Sequence, residues 1–271
     1  RDIGVTGVQT CALPISHSTL QSRGSRALRP GKDPRVAKHI GIVAVSPEGT
    51  ALCYRDIFRR ASAIMGDQGH PVVTLHSEPL EHYIQALLRD DWHTIGELLR
   101  KSAKVLAAAG AEFCITPDNV MQHGVHIAQV GSPIPWLTMT DLVADRIVAD
   151  GRKSVGVIGT KMVMFGSTYQ TTLGLKGVKV LAPDAHDAEA IDAIVFRELI
   201  HGEIVEASRK RVLDAIASLA SRGAEGVVLG CSEAPLLISE ANSPLPIYDA
   251  VALLADGAVR AATGSLALSS R

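Results

Sequence analysis

The chain has 271 residues, of which 46% are hydrophobic and 4% aromatic, and its formal net charge is −1. That is ample for a sizeable buried core in one large domain or two small ones, and it leaves neither the basic field nor the aromatic platforms that nucleic-acid binding uses. No apolar run approaches the roughly 18 residues that a membrane helix needs. The four cysteines, Cys11, Cys53, Cys114 and Cys231, form no CxxC pair, which argues against a disulfide framework or a structural zinc.

Residues 1–16, "RDIGVTGVQTCALPIS", resemble a translated sequencing-adapter oligonucleotide. As a secretory signal they fail, because Asp2 sits in the basic region and Thr6, Gly7, Gln9 and Thr10 break the apolar core. Residues 17–35 are polar, basic and rich in Gly, Ser and Pro, and read as a disordered leader. The globular protein is expected from Val36, which sets Cys11 aside. Free thiols suit a reducing cytoplasm.

"HIGIVAVS" (39–46) is a short β-branched run and reads as a buried strand, followed by a Pro-Glu-Gly loop. "TALCYRDIFRRASAIM" (50–65) has helical spacing at Leu52, Ile57 and Ile64. "HPVVTLHS" (70–77) reads as a second strand. "WHTIGELLRKSAKVLAAAG" (92–110) is expected as a helix with Ile95, Leu98, Leu99, Ala103 and Leu106 on one stripe and Gly110 as C-cap. "AEFCITP" (111–117) is a third strand. Such alternation predicts parallel sheets covered on both faces.

The plan then recurs. "KSVGVIGT" (153–160) repeats "KHIGIVAVS" (38–46), and "GAEGVVLGCS" (223–232) repeats "GAEFCITPDN" (110–119). Gly41 and Gly156 are 115 residues apart, and Gly110 and Gly223 are 113 apart. An internal duplication accounts for both. In this register Asp118 stands eight residues beyond Gly110 and Cys231 eight beyond Gly223, each just past the carboxyl end of a strand. Ligands of open α/β sheets bind at those ends. Two proton-handling groups facing one cleft are what inversion at a carbon acid needs, one removing the α-proton and the other returning a proton to the opposite face. Taken alone, Cys231 would read as an ordinary buried cysteine and Asp118 as a turn former.

These residues carry a resemblance. "GCSEAP" (230–235) and "TPDNVMQH" (116–123), with "VSPEGTALCYRDI" (45–57), "GTKMVMFGSTY" (159–169) and "ELIHGEIVEASR" (198–209), resemble the aspartate/glutamate/hydantoin racemase superfamily over about residues 38–262, in particular a subfamily with aspartate in place of the first cysteine. The resemblance implies two pseudo-symmetric three-layer α/β domains with mainly parallel sheets and the active site between them. Their expected extents are 36–137 plus 244–271 for the first and 138–243 for the second. It also implies catalysis without pyridoxal phosphate or any other cofactor, with Cys231 as catalytic thiol and Asp118 as its counterpart. Dimers are usual in that superfamily, although no stretch of this sequence marks an interface. Val120 and Gln122 depart from the subfamily, standing where it has threonine and histidine.

The resemblance further implies that the loops after the first strand of each half bind the substrate carboxylate: Ser46, Glu48 and Gly49 in one, and Thr160, Lys161, Met162 and Val163 in the other. Asn119, Val120, Ser232 and Glu233 flank the two acid/base residues. "SEAPLLI" (232–238) is expected to start a helix with Ser232 as N-cap, lowering the thiol pKa. His123 and His126 lack a third ligand, so no metal is expected, and Cys53 and Cys114 read as core. Three readings follow: a racemase or epimerase of a small acidic amino acid or related carbon acid; a single-cysteine decarboxylase or maleate-type isomerase; and a binding protein without catalysis.

Overall fold

The computed structural model describes residues 37–268; the leader expected over 1–35, and Val36, lie outside them. β1 (Ile40–Ala44) is buried at every position, as a central strand covered on both faces must be. α1 (Pro47–Met65) leads to the edge strand β2 (Val73–Ser77). α2 (Leu80–Leu88) and α3 (Trp92–Ala108) precede β3 (Phe113–Ile115). α4 (Gln122–Gln129) and α5 (Met139–Ala149) connect to β4 (Ser154–Gly159). Then follow α6 (Lys161–Met164), α7 (Ser167–Gly174), β5 (Lys179–Leu181) and α8 (Ala185–Arg197). α9 (Glu206–Ser221), β6 (Val227–Gly230), β7 (Ile247–Asp249) and α10 (Ala250–Ala262) complete the described chain.

The strands form two parallel sheets, β2-β1-β3 and β5-β4-β6-β7. Each is built around the strand whose glycine recurs in the sequence, and the reason is packing. A Cβ on Gly41 would stand 3.0 Å from Ala111 Cβ and 3.1 Å from Leu106 Cδ1 at the end of α3, and one on Gly156 would stand 2.7 Å from Leu219 Cδ1 of α9. In both sheets a helical leucine presses onto bare strand backbone, so a side chain there would push the helix off the sheet. Asp91, Asp184 and Asp249 cap α3, α8 and α10 by accepting N–H bonds from Thr94, Asp187 and Ala252.

Beside β3 the chain makes one isolated bridge, Cys114 to Trp136, with Cys114 N donating to Pro135 O. Beside β6 the matching hydrogen bond, Val227 N to Pro246 O, opens the full strand β7. α5 follows the bridge and α10 follows β7, and the two helices pack on each other, α5 also on α7 and α10 also on α1. One apolar core therefore runs through both sheets, from Ile40, Phe113 and Met139 to Val157, Val228 and Leu254. The described residues form a single compact unit.

Several expectations need correction. The stretch 244–271 does not return wholly to the first half: β7 joins the second sheet and only α10 packs on α1. Pro47, Glu48 and Gly49 are the first turn of α1 rather than a loop, because proline at a helix start loses no hydrogen bond. The C-cap of α3 is Ala109; Gly110 follows it with φ +94°, as Gly223 follows α9 with φ +93°. Cys53 and Cys114 are fully buried, in the core.

Candidate active site

Parallel strands put the carboxyl ends of β1, β3, β4 and β6 on the same side of their sheets, and the expected site residues follow those ends. Asp118 lies two residues past β3's last neighbour, Thr116, and is partly exposed. Its Oδ1 accepts from the backbone N–H of Val120 (3.0 Å) and Met121 (3.2 Å), which holds the loop in a turn ahead of α4. Burial raises its pKa from 3.8 to about 6; the two N–H donors oppose this, and the charge of Glu233 adds to it.

Cys231 follows β6 directly and is 8% exposed. Its Sγ donates to Glu233 Oε2 at 3.0 Å, and Ser232 Oγ donates to the same oxygen at 2.8 Å. The expected helix behind the thiol is a single 3-10 turn, Ala234–Leu236, with Glu233 and not Ser232 at its N-cap. No helix dipole is therefore available to favour the thiolate. Burial first, and then the Glu233 carboxylate, push the thiol well above its usual range; N–H groups of Glu233 and Ala234 pull weakly the other way.

The two strand-end loops meet at Gly49. A Cβ there would stand 2.8 Å from Ser46 Oγ, 2.9 Å from Pro117 O and 3.0 Å from Ser232 Oγ. The first turn of α1, the residue before Asp118 and the residue after Cys231 thus converge on one point. A second tie is deeper: Tyr169 Oη of α7 donates to buried Asn119 Oδ1 at 2.6 Å. Gln122 has a structural role. It is buried, its Nε2 donates to Thr116 O (3.1 Å) and Asp118 O (3.0 Å), and its Oε1 accepts from Met139 N (3.1 Å).

Among the remaining expected residues, Ser46 and Thr160 occupy equivalent N-cap positions and neither hydroxyl caps its helix. The buried hydroxyls of Thr50, Thr116 and Thr160 find no partner among the described residues. Glu48 is exposed on the first turn of α1. Lys161 is engaged: its N–H donates to Asp192 Oδ1 at 2.7 Å and its ammonium pairs with Glu189.

A cavity of about 340 Å³ opens beside this junction. Asn119, Val120, Lys161, Met162 and Val163 line it, but Asp118 and Cys231 do not reach its wall. Trp92, His123 and Phe165 also line it, although sequence reasoning did not place them there. Nothing in a lone Trp at a helix start or a Phe after a short helix signals a wall shared by two halves. Among the described residues no group of His, Cys, Asp and Glu could hold a metal ion.

The model of the Asp/Glu/hydantoin racemase family matches residues 42–258, which takes in both strand-end loops. The chain belongs to that family. Its fold, with parallel sheets of three and four strands, matches those of solved racemase structures. A candidate Asp/Glu racemase from Yersinia pestis is 30% identical over 83% of this chain and 99% of its own, with a TM-score of 0.79. An aspartate racemase homologue from Pyrococcus horikoshii OT3 is 26% identical over 83% of this chain and 99% of its own, with a TM-score of 0.76. Glutamate racemase RacE1 from Bacillus anthracis shares the fold at 15% identity, covering 80% of this chain and 79% of its own, with a TM-score of 0.61. This racemase-family chain has no helix among its described residues long and apolar enough to cross a membrane.

Proposed function

We propose that this racemase-family protein inverts the α-carbon of a small carboxylate carbon acid without a cofactor, with Asp118 and Cys231 as the opposed acid/base pair. The observation that carries the reading is the junction at Gly49, where Pro117 O and Ser232 Oγ come within 2.9 Å and 3.0 Å of one point. The residues adjoining Asp118 and Cys231 belong to one site. The recurrence of strand, glycine and helix in both halves supports their origin as a doubled unit.

The proton balance follows from the two environments. With a pKa near 6, Asp118 is mostly ionised at neutral pH and takes the α-proton, becoming a carboxylic acid. The Cys231 thiol, held protonated beside Glu233, gives its proton to the other face of the carbanion and becomes a thiolate. The enzyme is then set for the reverse enantiomer. The substrate carboxylate sits at the first turn of α1, where the Ser46 hydroxyl makes no cap bond and the first N–H groups of a helix have no partner inside it.

Incubating candidate amino acids and related acids in deuterium oxide and following them by NMR tests the reading. Inversion with uptake of deuterium at the α-carbon is expected; no exchange from any member of a broad panel defeats it. A second reading rests on a specific contact. Asp118 Oδ1 already accepts two backbone N–H bonds, which suits a loop-holding residue and leaves Cys231 as the sole proton carrier, as in a decarboxylase or a cis–trans isomerase. Carbon dioxide release from disubstituted malonates, or conversion of maleate, that survives Asp118→Asn selects that reading.

A further inference from the structure

The cavity of about 340 Å³ beside the junction carries polar groups that the protein itself leaves unused. Its lining runs from Trp92, Asn119 and His123 in the first half to Lys161, Ser167 and Thr168 in the second, and neither Asp118 nor Cys231 reaches it. None of the lining residues is acidic, so an anion inside meets no like charge from the wall.

Asn119 is the buried member, at 5% exposure. Its Oδ1 accepts from the Tyr169 hydroxyl at 2.6 Å, which fixes the end of the amide that is taken. The Nδ2 end makes no hydrogen bond among the described residues and is left for the cavity that Asn119 lines. A buried donor without an acceptor is unfavourable, and a ligand oxygen relieves it.

Tyr169 is the third residue of α7, so the helix that orients Asn119 presents its own first turn to the same space. Gly166 is the N-cap of α7 and has no side chain to cap it, so the N–H groups of Ser167 and Thr168 find no partner inside the helix. A Cβ on Gly166 would collide with Met162 O, so no capping serine or aspartate fits there. The Ser167 and Thr168 hydroxyls and the His123 ring add further polar groups unpaired among the described residues. Lys161 pairs with Glu189, but both side chains are largely exposed, and such a pair is weak enough for the ammonium to turn to a ligand. A helix N-terminus, an amide N–H₂ and an ammonium together favour oxyanions. The space exceeds a bare oxyanion, and Trp92, Met162 and Phe165 give the rest of it hydrocarbon surface.

We propose that this cavity binds an organic anion, a carboxylate or phosphate whose oxygens are held by Asn119 Nδ2 and the first turn of α7, at a site separate from the acid/base pair. The ligand bridges the two halves, since Asn119 belongs to the first and α7 to the second. The site stands whatever reaction Asp118 and Cys231 perform.

Calorimetric titration of the full chain with phenyl phosphate, benzoate and the uncharged benzyl alcohol tests this. At least one anion is expected to bind saturably, about tenfold or more tightly than the alcohol, and the tighter of the two names the headgroup. Ser167→Pro removes one N–H and one hydroxyl from the site. Proline suits the first position of a helix, and Gly166 before it already has extended backbone, φ −69° and ψ 161°. This variant is expected to weaken the anion about tenfold or more with unchanged circular dichroism. Thr168→Val removes the second hydroxyl, is expected to weaken the anion severalfold, and decides the case if Ser167→Pro does not fold. No saturable binding of either anion, benzyl alcohol binding as tightly as both, or full affinity in every variant that folds overturns the proposal. The last outcome moves the anion elsewhere, the first turn of α1 being the alternative.

Discussion

The thiol of Cys231 donates to the Glu233 carboxylate across 3.0 Å. A buried thiol beside a negative charge keeps its proton, whereas the Asp118 carboxyl, raised only to about 6, is mostly ionised at neutral pH. The two groups are therefore not interchangeable, although they occupy equivalent positions in the two halves.

Replacing Glu233 by Gln removes the charge that opposes thiolate formation. The Cys231 pKa is expected to fall, and alkylation by iodoacetamide at pH 8 to accelerate about tenfold or more, since each unit of pKa changes the thiolate fraction tenfold. The pH dependence of alkylation, or absorbance at 240 nm, reads this directly. An unchanged rate means that burial alone holds the proton.

Cys231→Ser is expected to lower turnover by about 10²–10⁴-fold, the range usual for a positioned proton-transfer group. Intact folding by circular dichroism is the control. Retention of full activity contradicts both the racemase and the single-thiol readings.

The pH profile separates Asp118 as base from Asp118 as loop holder. As base it works ionised, so kcat/KM for the enantiomer that it deprotonates should rise tenfold per unit below pH 6 and level off above it. Asp118→Asn should abolish inversion while leaving an Oδ1 to hold Val120 and Met121. A variant that inverts at the wild-type rate removes Asp118 from the chemistry.

The same shift predicts a stability change. A carboxyl whose folded pKa lies above its unfolded value binds its proton more tightly in the native state. The part of the stability that Asp118 contributes is then greatest below pH 4 and falls as pH rises through 6, by roughly 2–3 kcal/mol at most. Asp118→Asn is expected to unfold at higher denaturant than wild type at pH 8 and to match it at pH 3.5. Equal midpoints at both values leave no room for the shift.

Tyr169→Phe leaves the buried Asn119 Oδ1 without its donor at 2.6 Å. A loss of about 1–3 kcal/mol is expected. Because Asn119 adjoins Asp118, kcat should fall as well, which urea melts and steady-state kinetics resolve separately.

The alternating strands and helices were legible along the chain because buried parallel strands are short β-branched runs and helices carry a 3.6-residue stripe. The paired positions of Asp118 and Cys231 were legible because Gly41 and Gly156, and Gly110 and Gly223, mark the same places in both halves. The first turn of α1 was misread as a loop, since Pro-Glu-Gly suits either and the choice depends on what Ser46 and Gly49 pack against. The helix expected behind Cys231 shrank to one 3-10 turn, because Glu233 is held inward by the thiol and by Ser232.

Composition and periodicity are local properties, and they were enough to establish the α/β class, the recurrence and the two residues at the strand ends. The exchange of α5 and α10 between the halves, the buried place of Gln122, the capture of Lys161 by Glu189 and the Trp92–Phe165 wall belong to tertiary structure. Each depends on side chains from distant segments meeting, where a neighbour's charge or bulk sets a group's pairing and reach. No spacing along the chain records such a meeting.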